Sequence, residues 1–255
     1  EGKAPERGLD LEGDYLIPGL VELHTDHLES HYAPRPTIRW HPLGAVLAYD
    51  AQIAASGITT VFDSLRAGID VDGGGLGAEL GELAEAIDQA RRQQLFRAEH
   101  LTHLRCEIPS PDVVETVESF AARCPVGLIS LMDHTPGQRQ FRDLSKYLVY
   151  YAGKTGKAPH EIEAMIERKM RENGARAAAN RSALVRLAKR RAIPLASHDD
   201  TTVGEVEQSA REGVVLAEFP TTVESALASH AKGITVMMGA PNLVRGGSHS
   251  GNVAA

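Results

Sequence analysis

The chain has 255 residues, 42% of them hydrophobic, enough to bury a substantial core without disulfide staples, and this excludes collagen, coiled coil and a disordered chain. Lys+Arg 27 against Asp+Glu 34 leaves a formal charge of -7, so no global basic field exists to hold nucleic acid or anionic lipid. Any anionic ligand must be held by local groups. Cys106 and Cys124 lie in apolar stretches without CxxC spacing, which fits a reducing compartment or inert core thiols. No apolar run is long enough to span a bilayer, and no cationic start leads into an apolar segment. These features predict a soluble, cytoplasmic protein with neither a nucleic-acid nor a membrane partner. The chain starts Glu1-Gly2-Lys3 and stops on small residues after Gly251, which reads as a piece of something longer.

Apolar runs of strand length alternate with helical patterns from residue 15 onward. Residues 15–23 read as a first strand, 43–55 as a helix closed by Gly57, and 59–62 as a second strand. A helix over 80–99, a strand over 101–108 and a helix from Ser110-Pro111-Asp112 to Arg123 follow. Then come a strand over 126–132, a long helix over 159–191 and a strand over 193–197. Helices over 203–213 and 223–232 alternate with strands over 214–219 and 234–238. Seven strands separated by helices imply parallel βα units, in a (β/α) barrel lacking its last strand. No G-x-G-x-x-G or Walker pattern follows any strand. Residues 1–14 read as the remnant of a small β-domain or a linker, and 15–255 as the barrel. The stretch 70–77, Asp-Val-Asp-Gly-Gly-Gly-Leu-Gly, is a surface loop or a lid over the barrel mouth. The Arg- and Lys-rich stretch from Arg168 to Arg191 reads as a solvated helix face, with an anion-binding surface as the alternative.

The chemistry gathers at strand ends. The first strand runs into His24-Thr25-Asp26-His27, and alternation would put His24 and Asp26 on one face. The third carries His103, Arg105 and Glu107 on alternate positions, the fourth leads to Asp133-His134, and the fifth to His198-Asp199-Asp200. Four strand ends thus deliver His24, Asp26, Glu107, His134 and His198, a mixed imidazole and carboxylate set suited to zinc, manganese or iron, as one or two ions. Two carboxylates about 4 Å apart repel by roughly 4 kcal/mol at an effective dielectric near 20. If Asp26 and Glu107 converge, a cation must neutralise them or one must take a proton. Alternation also favours Asp200 over Asp199 as the carboxylate sharing the His198 face, although either could cap the next helix beside Thr201 and Thr202.

The segment Leu16-Ile17-Pro18-Gly19-Leu20-Val21-Glu22-Leu23-His24-Thr25-Asp26 resembles the first-strand motif of the amidohydrolase superfamily, in the variant with aspartate as the second ligand. The motifs around Glu107, His134 and His198, with the segment from Gly239 through Arg245 and Ser248-His249 to Asn252, narrow the resemblance. They are similar to the branch that removes pyrophosphate from a phosphorylated ribose in the carbon–phosphorus lyase pathway. The resemblance implies a distorted barrel with a metal centre at its mouth. His24 and Asp26 would hold one metal, Glu107 would bridge, and His134 and His198 would hold the other. It also implies an aspartate after an eighth strand, which would follow Ala255. The small-molecule substrate would meet Arg66, Arg105, Asn242, Arg245, Ser248 and His249, with Arg66 equally suited to a surface ion pair. His27 and Asp200 are the candidates for proton transfer. A homo-oligomer is compatible with this reading. Two rivals stay open: a superfamily member acting on a C–N bond, and a catalytically silent barrel that binds a phosphorylated ligand.

Overall fold

The computed structural model describes residues 8, 10–35, 37–69, 79–139 and 158–246, together with 144, 145, 147, 148 and 152. The glycine-rich stretch 70–77 lies outside the described residues, as do Ser248 and His249. Seven parallel strands form one sheet: β1 (Leu20–Thr25), β2 (Ile58–Ala67), β3 (Glu99–Glu107), β4 (Leu128–Met132), β5 (Leu195–His198), β6 (Val214–Glu218) and β7 (Thr235–Met237). They pair in chain order, each strand hydrogen-bonded to its successor. Among the described residues the helices are α1 (His27–Tyr32), α2 (Pro42–Ala55), α3 (Leu80–Arg92), α4 (Val113–Arg123), α5 (Pro159–Arg191), α6 (Val203–Glu212), α7 (Val223–Ala231) and α8 (Ala240–Arg245). None is long and apolar enough to cross a membrane.

The sheet is curled rather than flat. At a spacing near 4.8 Å, strands five places apart in a flat sheet would lie roughly 24 Å from each other. Yet His24 on β1 comes within 3.0 Å of Glu218 on β6. The chain therefore forms an all-parallel, seven-stranded half-barrel flanked by helices, an incomplete TIM-like barrel. Side-chain alternation divides each strand between two environments. Val61, Leu65, Leu104, Cys106, Ile129 and Leu131 face outward and pack under the helices in the main core. Leu23, Phe62, Leu128, Ala196, Leu216 and Met237 fill the interior as an apolar plug. Ser64, His103 and Ser130 form a hydrogen-bonded layer above it; the register pairs Ser64 with His103, and Ser130 lies two residues beyond Leu128, the β4 partner of His103.

Three boundaries differ by five residues or more from the sequence reading. β1 begins at Leu20, after Pro18-Gly19; Tyr15, Leu16 and Ile17 precede it, exposed and without regular structure. A side chain at position 19 would overlap Thr59, so glycine lets the start of β1 approach β2. β2 runs on to Ala67, through polar residues that alternation alone does not assign to a strand. They are polar because they are paired: Asp63 contacts His100, and Ser64 contacts His103. Finally, α3 stops at Arg92, seven residues short of the expected end, because the chain turns through Gln94 in the left-handed region and enters β3. The arginine-rich half of α5 is not a simple solvated face. Arg181 is buried and ion-paired with Glu212, while Arg176 and Arg191 donate to the carbonyls of Pro109 and Ala121.

A buried carboxylate ties α2 to the entry of β3. Asp50 Oδ1 accepts from the backbone N–H groups of Arg97 and Ala98 at 2.9 and 3.1 Å, and Oδ2 accepts from the Arg97 guanidinium. His100 lies between Asp50 and Asp63, at 3.3 and 3.0 Å, with Phe96 stacked on its ring. Burial pushes the Asp50 carboxyl up, but the Ala98 and Arg97 donors outweigh it and hold it below the usual aspartate range. Removing this carboxylate strands one buried and one part-buried backbone donor, so Asp50→Ala should cost about 3 kcal/mol in urea unfolding. The charge contributes stability above the ordinary aspartate pKa of about 3.9 that is lost as pH falls through the lower folded value. The gap between wild type and Asp50→Asn should therefore be full near neutrality and shrink below about pH 4.

Candidate metal centre

Among the described residues, seven imidazole and carboxylate side chains meet at the C-terminal mouth of the half-barrel: His24 from β1, His103 and Glu107 from β3, His134 after β4, His198 from β5, Asp199 just after it and Glu218 from β6. The mouth is where strand ends and loops can converge on one ligand, because each strand contributes from a rigid base. His24 and His198 stack at 5.3 Å between ring centroids, and His134 approaches His198 edge-on at 5.8 Å. Phe219 closes one side against both His24 and His198.

Glu218 was not singled out from the sequence, yet it lies among three of the imidazoles. Its side chain is fully buried, with Oε2 3.0 Å from Nδ1 of both His24 and His198 and Oε1 3.5 Å from Nε2 of His103. Burial alone would raise its pKa, but His24, His103 and His198 together hold it well below the usual carboxylate range. His103 is pushed the other way: burial lowers it to about 3, so the ring is neutral. Nothing in the Ala217-Glu218-Phe219 sequence marks the site; its only signal is a carboxylate at the end of an apolar strand, the position His198 occupies on β5.

Glu107 forms a second focus. Its Oε1 lies 2.5 Å from His134 Nδ1 and 3.7 Å from the Arg66 guanidinium. Burial would raise the carboxyl, but His134 and then Arg66 outweigh it and hold it at about 2. Asp26 does not join Glu107. β1 ends at Thr25 and Asp26 is the N-cap residue of α1, which breaks the alternation that would have kept it beside His24; its carboxylate lies 3.3 Å from Arg105, which also faces Glu29.

The two aspartates after β5 exchange places relative to the alternation rule. Asp199 has φ 54, so the chain turns into the left-handed region as soon as the strand ends. Asp199 Oδ2 thereby reaches within 3.4 Å of His198 Nε2, and the Asp199 N–H donates to Glu218 O. Asp200 is directed to Arg139 and Ser209 instead, and the cap of α6 is Thr202 with Glu205. His27 stands on α1 against His31, outside the cluster. Arg245 is exposed at the end of α8, where its Nε donates to Pro241 O, and Asn242 is part-buried on the same helix.

His24, His103 and Glu218 form one group whose ligand atoms lie within 4.8 Å of one another, and His134, His198 and Asp199 form another. His198 joins them, with Nδ1 toward Glu218 and Nε2 toward Asp199. The donor set fits a divalent transition metal: imidazoles with ionised carboxylates, in a pocket where His24 Nδ1 and Glu218 Oε1 are buried without a hydrogen bond.

No family profile matches the chain, and no solved structure matches it. The chain is 45% identical over all 255 residues to the alpha-D-ribose 1-methylphosphonate 5-triphosphate diphosphatase of Escherichia coli strain K12, and covers 67% of that enzyme. That likeness extends along every strand of the half-barrel, and the chain belongs to the family of this diphosphatase.

Proposed function

We propose that this protein is a metal-dependent hydrolase of phosphonate catabolism that cleaves α-D-ribose 1-methylphosphonate 5-triphosphate to the 5-phosphate and pyrophosphate. The observation that carries the reading is the 45% identity, over the whole chain, to an enzyme named for that reaction. The geometry agrees with it in chemical kind. A buried cluster of imidazoles and ionised carboxylates stands beside two arginines at one mouth, where a polyanion and a cation could be held together.

His24, Glu107, His134 and His198 would hold the cation. Asp26, the remaining member of the expected set, is occupied by Arg105 in this structure. A bound divalent cation would make a water more acidic near neutral pH and offset charge on phosphoryl oxygens during in-line attack. The chain's own side chains do the rest. Arg66 and Arg105 flank Glu107 on adjacent, register-paired positions of β2 and β3, and present guanidinium groups suited to phosphoryl oxygens. Local cations of this kind are needed because the chain as a whole is acidic. Ionised Glu107 and Glu218 fix the His134 and His198 rings through Nδ1 and leave their Nε2 atoms for coordination. His27, at the rim on α1, is the candidate to carry a proton between the site and solvent. Arg245 and Asn242, with Ser248 and His249, would meet the distal phosphates from the segment after β7. The nearest rival, hydrolysis of a C–N bond, has no counterpart for the paired arginines.

The purified protein should release pyrophosphate and the ribose 5-phosphate from the triphosphate and should leave hydantoins and nucleobases unchanged; turnover of those amides without pyrophosphate release would reverse the reading. His198→Ala should lower kcat/KM at least about a hundredfold, the scale of losing several kcal/mol of transition-state stabilisation. Arg105→Met should lower kcat/KM roughly ten- to a hundredfold, mainly through KM, as expected for a lost charge-assisted contact. Metal uptake should also depend on pH. Burial lowers the His198 pKa, but Asp199 and Glu218 outweigh it and raise it above the ordinary value, so protons compete for the ring. Zinc affinity measured by calorimetry should fall as pH drops from about 8 to about 6.

A further inference from the structure

Glu218 has no part in the motifs that point to the metal centre, and its surroundings ask for more than charge balance. It is the most enclosed carboxylate at the mouth, with a side chain fully buried at the end of β6. Its two oxygens are used unequally. Oε2 is 3.0 Å from Nδ1 of both His24 and His198, but only the His198 contact has hydrogen-bond geometry. Oε1 is buried and makes no hydrogen bond.

His103, 3.5 Å away, cannot supply the donor that Oε1 lacks. The Nδ1 atom of His103 lies 3.0 Å from the carbonyl oxygen of Leu23, a group that only accepts, so that nitrogen carries the proton of the neutral ring. The other nitrogen, Nε2, is then an acceptor, and the Ser130 hydroxyl donates to it. Oε1 therefore faces a second acceptor. His24 Nδ1, 3.0 Å from the other oxygen of the same carboxylate, is likewise buried without a hydrogen bond. A fully buried carboxylate that receives one hydrogen bond, from His198 on Oε2, and none on Oε1 needs a cation at the oxygen left bare. The ligand atoms of His24, His103 and Glu218 all lie within 4.8 Å of one another, close enough for one ion.

We infer that Glu218 is itself a metal ligand, sharing a divalent cation with His24 and thereby joining the ends of β1 and β6 across the mouth. The inference rests on the metal reading of the site and adds a residue to it. It also gives the two mouth carboxylates separate duties: Glu107 serves the His134 side and Glu218 the His24 side, with His198 between them.

The test uses the whole chain with zinc alone. An anomalous difference map of zinc-loaded wild-type crystals should place an ion about 2.0–2.2 Å from a Glu218 carboxylate oxygen. Calorimetric titration of metal-free Glu218→Gln should show the loss of one equivalent or an affinity at least about tenfold weaker than wild type. If Glu218→Gln does not fold, Glu218→Asp, which keeps the charge but withdraws it by one methylene, should show the same weakening. Zinc held by other residues with Glu218 beyond about 3 Å, or variants binding within about threefold of wild type, would overturn the assignment of Glu218 alone. Wild-type protein that takes up no zinc, manganese or iron would instead overturn the metal reading of the site.

Discussion

The contact between His24 and Glu218 brings together residues from strands five places apart, and the mouth of the barrel depends on it. Parallel strands joined by helices make a sheet whose twist curls it, and the curl turns one face into an interior. The apolar plug of Phe62, Leu128, Ala196 and Leu216 fills the base of that interior. Above it, Ser64, His103 and Ser130 satisfy one another, and only at the strand ends does the polarity become ionic. A buried ionised carboxylate is tolerated there because imidazoles surround it on three sides. Charge and curvature therefore support each other, since Glu218 keeps its surroundings only while β1 and β6 stay close.

The opposite end of the sheet is held by the same kind of chemistry turned outward. Asp50 and Asp63 enclose His100 between β2, β3 and α2, and Asp50 also takes the two N–H groups that β3 exposes as it begins. This fixes the register at the base of the strand whose tip carries Arg105 and Glu107. A shift of one residue there would send His103 and Glu107 outward, under the helices, and His100 inward.

Much of this was legible in the sequence. Strand-length apolar runs between helical patterns gave seven parallel strands in the right order, because both faces of a parallel sheet are covered and its strands read as continuous apolar stretches. The convergence of His24, Glu107, His134 and His198 was also legible, since strand ends in such a fold point to one mouth. What failed was alternation carried past a strand end. Asp26 falls at the N-cap before α1 and Asp199 on a left-handed turn, so the first leaves the cluster and the second enters it. The polar second half of β2 was missed because its partners, His100 and His103, lie some forty residues away in sequence.

The sequence by itself determined the class of fold, the acidic balance, and most of the imidazoles and carboxylates that meet at the mouth, because these follow from composition, period and residue type. Only the tertiary structure decided which carboxylates stand beside which imidazoles. That choice is made by curl, by register and by two residues with positive φ, Asp199 and Phe219, one after each of the strands that deliver His198 and Glu218. Such a turn re-aims a side chain by a local backbone rotation that residue spacing does not encode.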